Sequence, residues 1–206
     1  MPNWCSNRIA FYQEDGETAL LEAFYADIQK YMEYIDPETG RHSNWAGHFL
    51  ESSRIDTESI SCRGYFNYCE LCTDYVLISM ETAWEPIPEL YEVMAQKYNL
   101  YYVYIAEECG CELYINTDSG GRFFNTRYIL NYFEYEYLEL DAESENEYGE
   151  RLRELSEDTK YFDSFEEVMR EFEVFGFDVN NLDELNLCLD KFNIKVYEYD
   201  FEEEGG

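Results

Sequence analysis

Apolar positions recur at helical spacing between Glu17 and Ile35, at Leu20, Leu21, Phe24, Ile28, Tyr31, Met32 and Ile35, which predicts an amphipathic helix. Ile9–Tyr12 ahead of it reads as a short strand, and Asp36–Gly40, with its proline and glycine, ends the helix. The polar stretch that follows holds both histidines and Trp45 and shows no period. Ile60–Tyr68 and Tyr75–Met80 predict two strands joined by a turn at Cys69–Asp74. Trp84–Pro88 breaks the second strand and opens a helix whose buried stripe is Leu90, Tyr91, Met94 and Tyr98. Leu100–Ala106, Glu112–Asn116 and Phe123–Leu140 read as further strands.

Near the end of the chain the pattern returns to helices. Ser164 and Glu167 form a capping box before Phe165, Val168, Met169, Phe172 and Phe175, with Gly176 as the stop. Asn181 and Glu184 open a second helix in the same way, burying Leu185, Cys188, Leu189 and Phe192, and Ile194–Phe201 closes as a strand. The expected fold class is α+β: a ferredoxin-like antiparallel sheet with packed helices over residues 1–130, plus a smaller acidic α+β C-terminal lobe over 131–206.

Composition changes the functional outlook more than the fold. An aromatic content of 18% and a hydrophobic content of 46% belong to a chain with a core, not to a disordered acidic tail. The formal net charge is −32, from 46 acids against 14 Lys and Arg. A phosphate backbone is repelled by such a chain, because binding one works by cationic neutralisation and counterion release. An anionic membrane surface is excluded on the same ground. Cationic partners are favoured, and steered. Solubility alone also accounts for acidity of this kind. Residues 131–206 carry 25 of the acids against 6 bases, so the last third holds more than half of the excess. The N-terminal segment lacks the basic and apolar regions of a signal peptide, and no apolar run reaches membrane-spanning length. The expected compartment is cytoplasmic, with seven reduced cysteines.

Three constellations bear on chemistry. Cys69-x-x-Cys72 and Cys109-x-Cys111 fall in two predicted turns, and four thiolates from two loops are a tetrahedral zinc set, so a zinc-stabilised interaction module stays open beside buried thiols. No cation flanks the CxxC pair to make it redox-active. His42 and His48, with Ser43 and Ser52 nearby, are the sole imidazole bases, but no nucleophile elbow, P-loop or HExxH is present. The expectation is therefore not an enzyme, and no cofactor is called for. Asp141–Glu147 fails as a calcium loop, with Asn146 where glycine and Leu152 where glutamate are needed.

The third constellation is acids alternating along predicted strands. In Val196–Glu202, Glu198, Asp200 and Glu202 share one face while Tyr197, Tyr199 and Phe201 share the other. Glu134 with Glu136, and Glu139 with Asp141, repeat the arrangement. Carboxylates two residues apart on a strand lie ~6.6–6.8 Å apart. Such a row imitates a phosphate backbone; it is also what an ordinary solvated sheet face looks like. These seven acids are the candidate partner-binding residues.

Met1-Pro2-Asn3-Trp4-Cys5-Ser6-Asn7, Asn44-Trp45-Ala46 and Thr82-Ala83-Trp84-Glu85-Pro86-Ile87-Pro88, with the helix and strand that follow, resemble the Api92-like (YubB-type) proteins of phages and plasmids over roughly residues 1–130. The resemblance implies a ferredoxin-like domain and a mobile-element origin, with no catalytic residues to carry over. The cysteine-bearing loop after Glu107 and the lobe from 131 onward depart from that family's pattern. The combined expectation is a non-enzymatic anti-defence protein. It would inhibit a basic nucleic-acid-binding protein of the host, such as a CRISPR effector or a restriction enzyme, by presenting carboxylates in place of phosphates.

Overall fold

The structure is a computed structural model that describes residues 3–14, 18–55, 59, 60, 62–132, 147–156 and 158–201. Its contacts divide the chain into two compact units, Met1–Ser119 with Phe201–Gly206, and Gly120–Asp200.

The first unit is built on a five-stranded antiparallel sheet. Its elements are β1 (Trp4–Tyr12), α1 (Thr18–Met32), α2 (Gly47–Ser52), β2 (Gly64–Leu71), β3 (Tyr75–Ala83), α3 (Pro88–Tyr98), β4 (Tyr101–Glu108) and β5 (Leu113–Asn116). The sheet order is β2-β3-β1-β4-β5. Ile9 stands opposite both Ile78 and Tyr104, and Phe11 opposite Val76 and Tyr102, so one face of three adjacent strands is aligned. That face is apolar, and α1 and α3 cover it with Leu21, Phe24, Ile28, Leu90, Tyr91 and Met94. Aromatic rings fill the gap: Phe11 and Phe24 lie 4.7 Å apart, and Tyr91 and Tyr104 5.4 Å. Pairs of this kind contribute ~0.5–1.5 kcal/mol beyond their buried area.

The first strand begins five residues before the expected Ile9, at Trp4. Its inward positions are Cys5, Asn7, Ile9 and Phe11, and the polar Asn7 hid the alternation. Asn7 is fully buried because its amide is satisfied: it donates to the Cys5 carbonyl and to Thr82 Oγ1, both at 2.8 Å, and accepts from the Tyr91 hydroxyl at 3.1 Å. Between the expected strands, Cys69 belongs to β2 and not to the turn, and residues 60–63 precede the strand. The polar stretch expected to be irregular contains α2, a six-residue helix too short to show a period.

The second unit carries a three-stranded sheet, β7-β6-β8, of β6 (Tyr128–Tyr132), β7 (Lys160–Phe162) and β8 (Ile194–Glu198). With it come α4 (Glu147–Ser156), α5 (Phe165–Phe172) and α6 (Leu182–Leu189). The division falls at Ser119/Gly120, not near residue 130, because β6 is the central strand of this second sheet. Both expected caps are present. The Glu167 amide donates to Ser164 Oγ at 3.3 Å and the Glu184 amide to Asn181 Oδ1 at 2.9 Å. Leu130, Leu152, Val168, Phe172, Leu185, Leu189, Phe192, Ile194 and Val196 form the core, while Cys188 is only half-buried.

β8 is an edge strand, and a side chain closes part of its open edge. Asn186 on α6 donates to the Val196 carbonyl at 2.8 Å and accepts from the Val196 amide at 2.9 Å, as a neighbouring strand would. Asn186→Ala leaves both backbone groups without that partner, a cost of about 1–3 kcal/mol. The expected outcome is a lower denaturant midpoint for the second unit with the first unit's transition unmoved, read by chemical unfolding followed at two probes.

Candidate functional site

Of the seven acids singled out on predicted strands, Glu134, Glu136, Glu139, Asp141 and Glu202 lie outside the described residues. Glu198 and Asp200 are described and exposed, with Tyr199 buried between them. The alternation is shorter than expected: Val196 and Tyr197 are both buried, and Phe201 is exposed. Glu198 stands opposite Tyr128, whose hydroxyl donates to Glu198 Oε1 at 3.2 Å. Burial, Glu198 and Glu166 together push the Tyr128 phenol upward, so it remains a neutral donor.

Most of the described carboxylates reach solvent. Among the described residues only two carboxylates are buried, Glu108 and Asp118. Glu108 acts locally, its two oxygens accepting from the Gly110 and Cys111 amides at 2.9 and 2.7 Å and tying the 3-10 turn between β4 and β5. Lys30 pairs with Asp27, and Lys160 with Glu171. Pairing of this sort cannot balance 46 acids with 14 Lys and Arg.

The four cysteines proposed as a zinc set are not brought together. Cys69 lies near the end of β2 and Cys72 in the β2–β3 turn, at the end of the sheet where Tyr75 pairs with Tyr12. Cys109 and Cys111 lie in the β4–β5 turn, just beyond Glu107, which pairs with Ser6 near the other end of β1. The pairs sit at opposite edges and opposite ends of one sheet, and among the described residues no cluster of metal-ligating side chains forms. Burial pushes the Cys5 thiol up to about 11 and the Cys62 and Cys69 thiols to about 12.

The two histidines part company. His42 Nε2 contacts the Met32 carbonyl at 2.6 Å, a backbone tie. His48 lies between Tyr34 and Trp45, with Nε2 3.0 Å from Ser43 Oγ and Nδ1 3.3 Å from Glu51 Oε2. This is a serine–histidine–carboxylate sequence of contacts. The Trp45 amide, however, is directed at Ser43 Oγ itself, and the Ala46 amide is used by the Gly64 carbonyl. The Trp45 and Ala46 amides are therefore already engaged.

What the structure does bring together is one end of the five-stranded sheet. Thr82 pairs with both Cys5 and Gly64, and Ala83 with Trp4. The Trp84 amide donates to the Asn3 carbonyl at 2.9 Å, and Trp84 is held at φ 75°, a left-handed conformation unusual for so bulky a residue. The Ala46 amide donates to Gly64 and the Phe66 amide to Asn44, so Asn44–Ala46 lines the edge of β2. Three segments far apart in sequence, each with a tryptophan, therefore meet here. The Asn7 network lies beneath them, extended by Thr82 Oγ1 donating to the Glu85 carbonyl at 2.7 Å. Trp45 is half-buried and donates from Nε1 to the Cys62 carbonyl at 2.8 Å, whereas Trp4, Tyr65 and Trp84 are 45, 41 and 44% exposed. Large aromatics left open at one sheet end are a feature that local spacing does not reveal, because strand register brings them together.

Two outcomes are expected. Gly47 lies under the Trp45 ring, where an added Cβ would sit 2.1 Å from Cζ2. Gly47→Ala should displace the indole and destabilise the first unit by about 1–3 kcal/mol, read as a shifted tryptophan emission maximum and a lower Tm. The buried thiols, with pKa values raised on folding, contribute stability that is complete below the unfolded thiol value of about 8.5. That stability is lost as pH rises toward about 11 to 12. Urea midpoints should fall across that window, and at pH 8 a thiol reagent should reach exposed Cys109 while sparing Cys5, Cys62 and Cys69 until the chain unfolds.

No protein-family model matches the chain, and comparison with curated proteins and with solved structures likewise finds no match.

Proposed function

We propose that the chain is a non-enzymatic, acidic binding protein that occupies the nucleic-acid-binding face of a basic host protein, its carboxylates standing where phosphates would. The observation that carries this reading is the surplus of 32 carboxylates over Lys and Arg on a folded scaffold, with two of the described carboxylates buried. A rigid scaffold presents charge at fixed spacing, and a partner's arginines engage it through charge-assisted hydrogen bonds. The contact residues are Glu198 and Asp200, with Glu134, Glu136, Glu139, Asp141 and Glu202 continuing the set along the chain.

The sheet order β2-β3-β1-β4, with helices following β1 and β3, is that of a split βαβ repeat, which supports the ferredoxin-like description of the first unit. With the resemblance of Met1–Asn7, Asn44–Ala46 and Thr82–Pro88 to Api92-like phage and plasmid proteins, the setting is anti-defence in the cytoplasm, and the target a CRISPR effector or restriction enzyme. The zinc-module alternative loses support from the separation of the two cysteine pairs.

The test is capture from host lysate at two salt concentrations, followed by competition with duplex DNA. The expected catch is a basic nucleic-acid-binding protein that DNA displaces and that is released as salt rises from about 50 to 500 mM. Neutralising Glu198 or Asp200 as the amide should weaken binding by a factor of about 2–5 each, since exposed ion pairs contribute up to ~1 kcal/mol. Tight binding indifferent to salt would sink the mimicry.

A further inference from the structure

The outward face of the first sheet carries a separate recognition feature. Cys5 and Asn7 point into the helix-covered core, so Trp4 and Ser6 project from the opposite face. By the same alternation Tyr65 projects there beside inward Phe66, and Glu81 between inward Met80 and Thr82. The register places Tyr65 directly opposite Glu81, and Glu81 directly opposite Ser6. Trp4 is therefore the diagonal neighbour of Glu81, within about 7–8 Å. The strand between the two rings contributes Ala83 opposite Trp4, and its small side chain lets Trp4 and Tyr65 close over β3 edge to face, 5.8 Å between centroids. An open aromatic corner thus stands beside an exposed carboxylate. Arg8, next outward along β1, bounds it toward the middle of the sheet.

We propose that this corner, Trp4, Tyr65 and Glu81, is a binding site for an arginine side chain presented by a protein partner. The proposal rests on the reading of the chain as a binder of basic proteins, and adds a second point of contact in the first unit. The chemistry selects the guest. A guanidinium is planar and weakly hydrated, stacks on an indole or phenol, and offers paired N–H donors to a carboxylate, whereas an ammonium is a strongly hydrated point charge. The charge of the whole chain complements it. The Asn7–Thr82–Tyr91 network ties β1, which bears Trp4, to β3 and α3, and the pairing of β2 with β3 sets Tyr65 beside it.

The probe is a pair of fluorescent peptides, one with arginines spaced by glycines and one with lysines at the same places, titrated by anisotropy at about 0.1 M salt. The arginine peptide should bind more tightly than the lysine peptide. Trp4→Ala and Glu81→Gln should each weaken it about 3- to 10-fold and remove the preference, while Glu166→Gln in the second unit, equal in charge change, should leave the preference intact. Both substituted positions are exposed, and an unchanged Tm for Glu81→Gln certifies the fold. Equal binding of the two peptides, or equal losses from Glu81→Gln and Glu166→Gln, overturns the site, yet leaves the broader reading standing if the basic host protein is still captured. If neither peptide nor any basic protein binds, both proposals fall.

Discussion

Thirty-two more carboxylates than cationic side chains repel one another along this chain, and each unit must hold together against that repulsion. Ion pairs are too few to do it. The answer in the first unit is an aromatic core, in which Phe11, Phe24, Tyr91 and Tyr104 join sheet to helices through ring contacts indifferent to net charge. The second unit repeats the solution on a smaller scale with Phe162, Phe172 and Phe192 around Leu185 and Leu189. Carboxylates then serve where they relieve unpaired amides: Glu108 under its turn, Glu167 and Glu184 at helix starts. Negative charge at a helix N-terminus is favourable even in this chain, because the local dipole there is positive.

The most constrained place in the first unit is the buried Asn7. An amide with no access to water has to be matched donor for donor, and its partners come from β1 itself, from β3 and from α3. That requirement specifies which strand end meets which helix start. It also anchors the segment from Thr82 to Pro88, where Trp84 is held in a left-handed backbone against the Asn3 carbonyl. The exposed aromatics above depend on this order, because the strand ends that carry them are paired with what lies beneath.

Much of the fold was legible along the chain. The periods of α1 and α3, and the caps of α5 and α6, mark those helices by local chemistry, because capping residues and apolar spacing act within one or two turns. Elements whose stability comes from elsewhere were hidden. Trp4–Arg8 reads as polar until Thr82 and Tyr91 are seen to satisfy Asn7; α2 is too short to display a stripe; β7 is three residues long. Charge density changes near residue 130, whereas contacts divide the chain at Ser119/Gly120, because β6 is the central strand of the second sheet.

For function the line falls in the same place. Sequence alone determined the sign of the charge, since Coulomb repulsion between like charges does not depend on where each carboxylate sits. It also supplied the alternation that leaves Glu198 and Asp200 in solvent. Only tertiary structure decided that the two cysteine pairs stand at opposite ends of a sheet, and that three tryptophans scattered over eighty residues meet at one end of it. Strand order and register are long-range pairings, chosen by the match of whole faces and buried hydrogen bonds, and no local stretch of the chain contains that information.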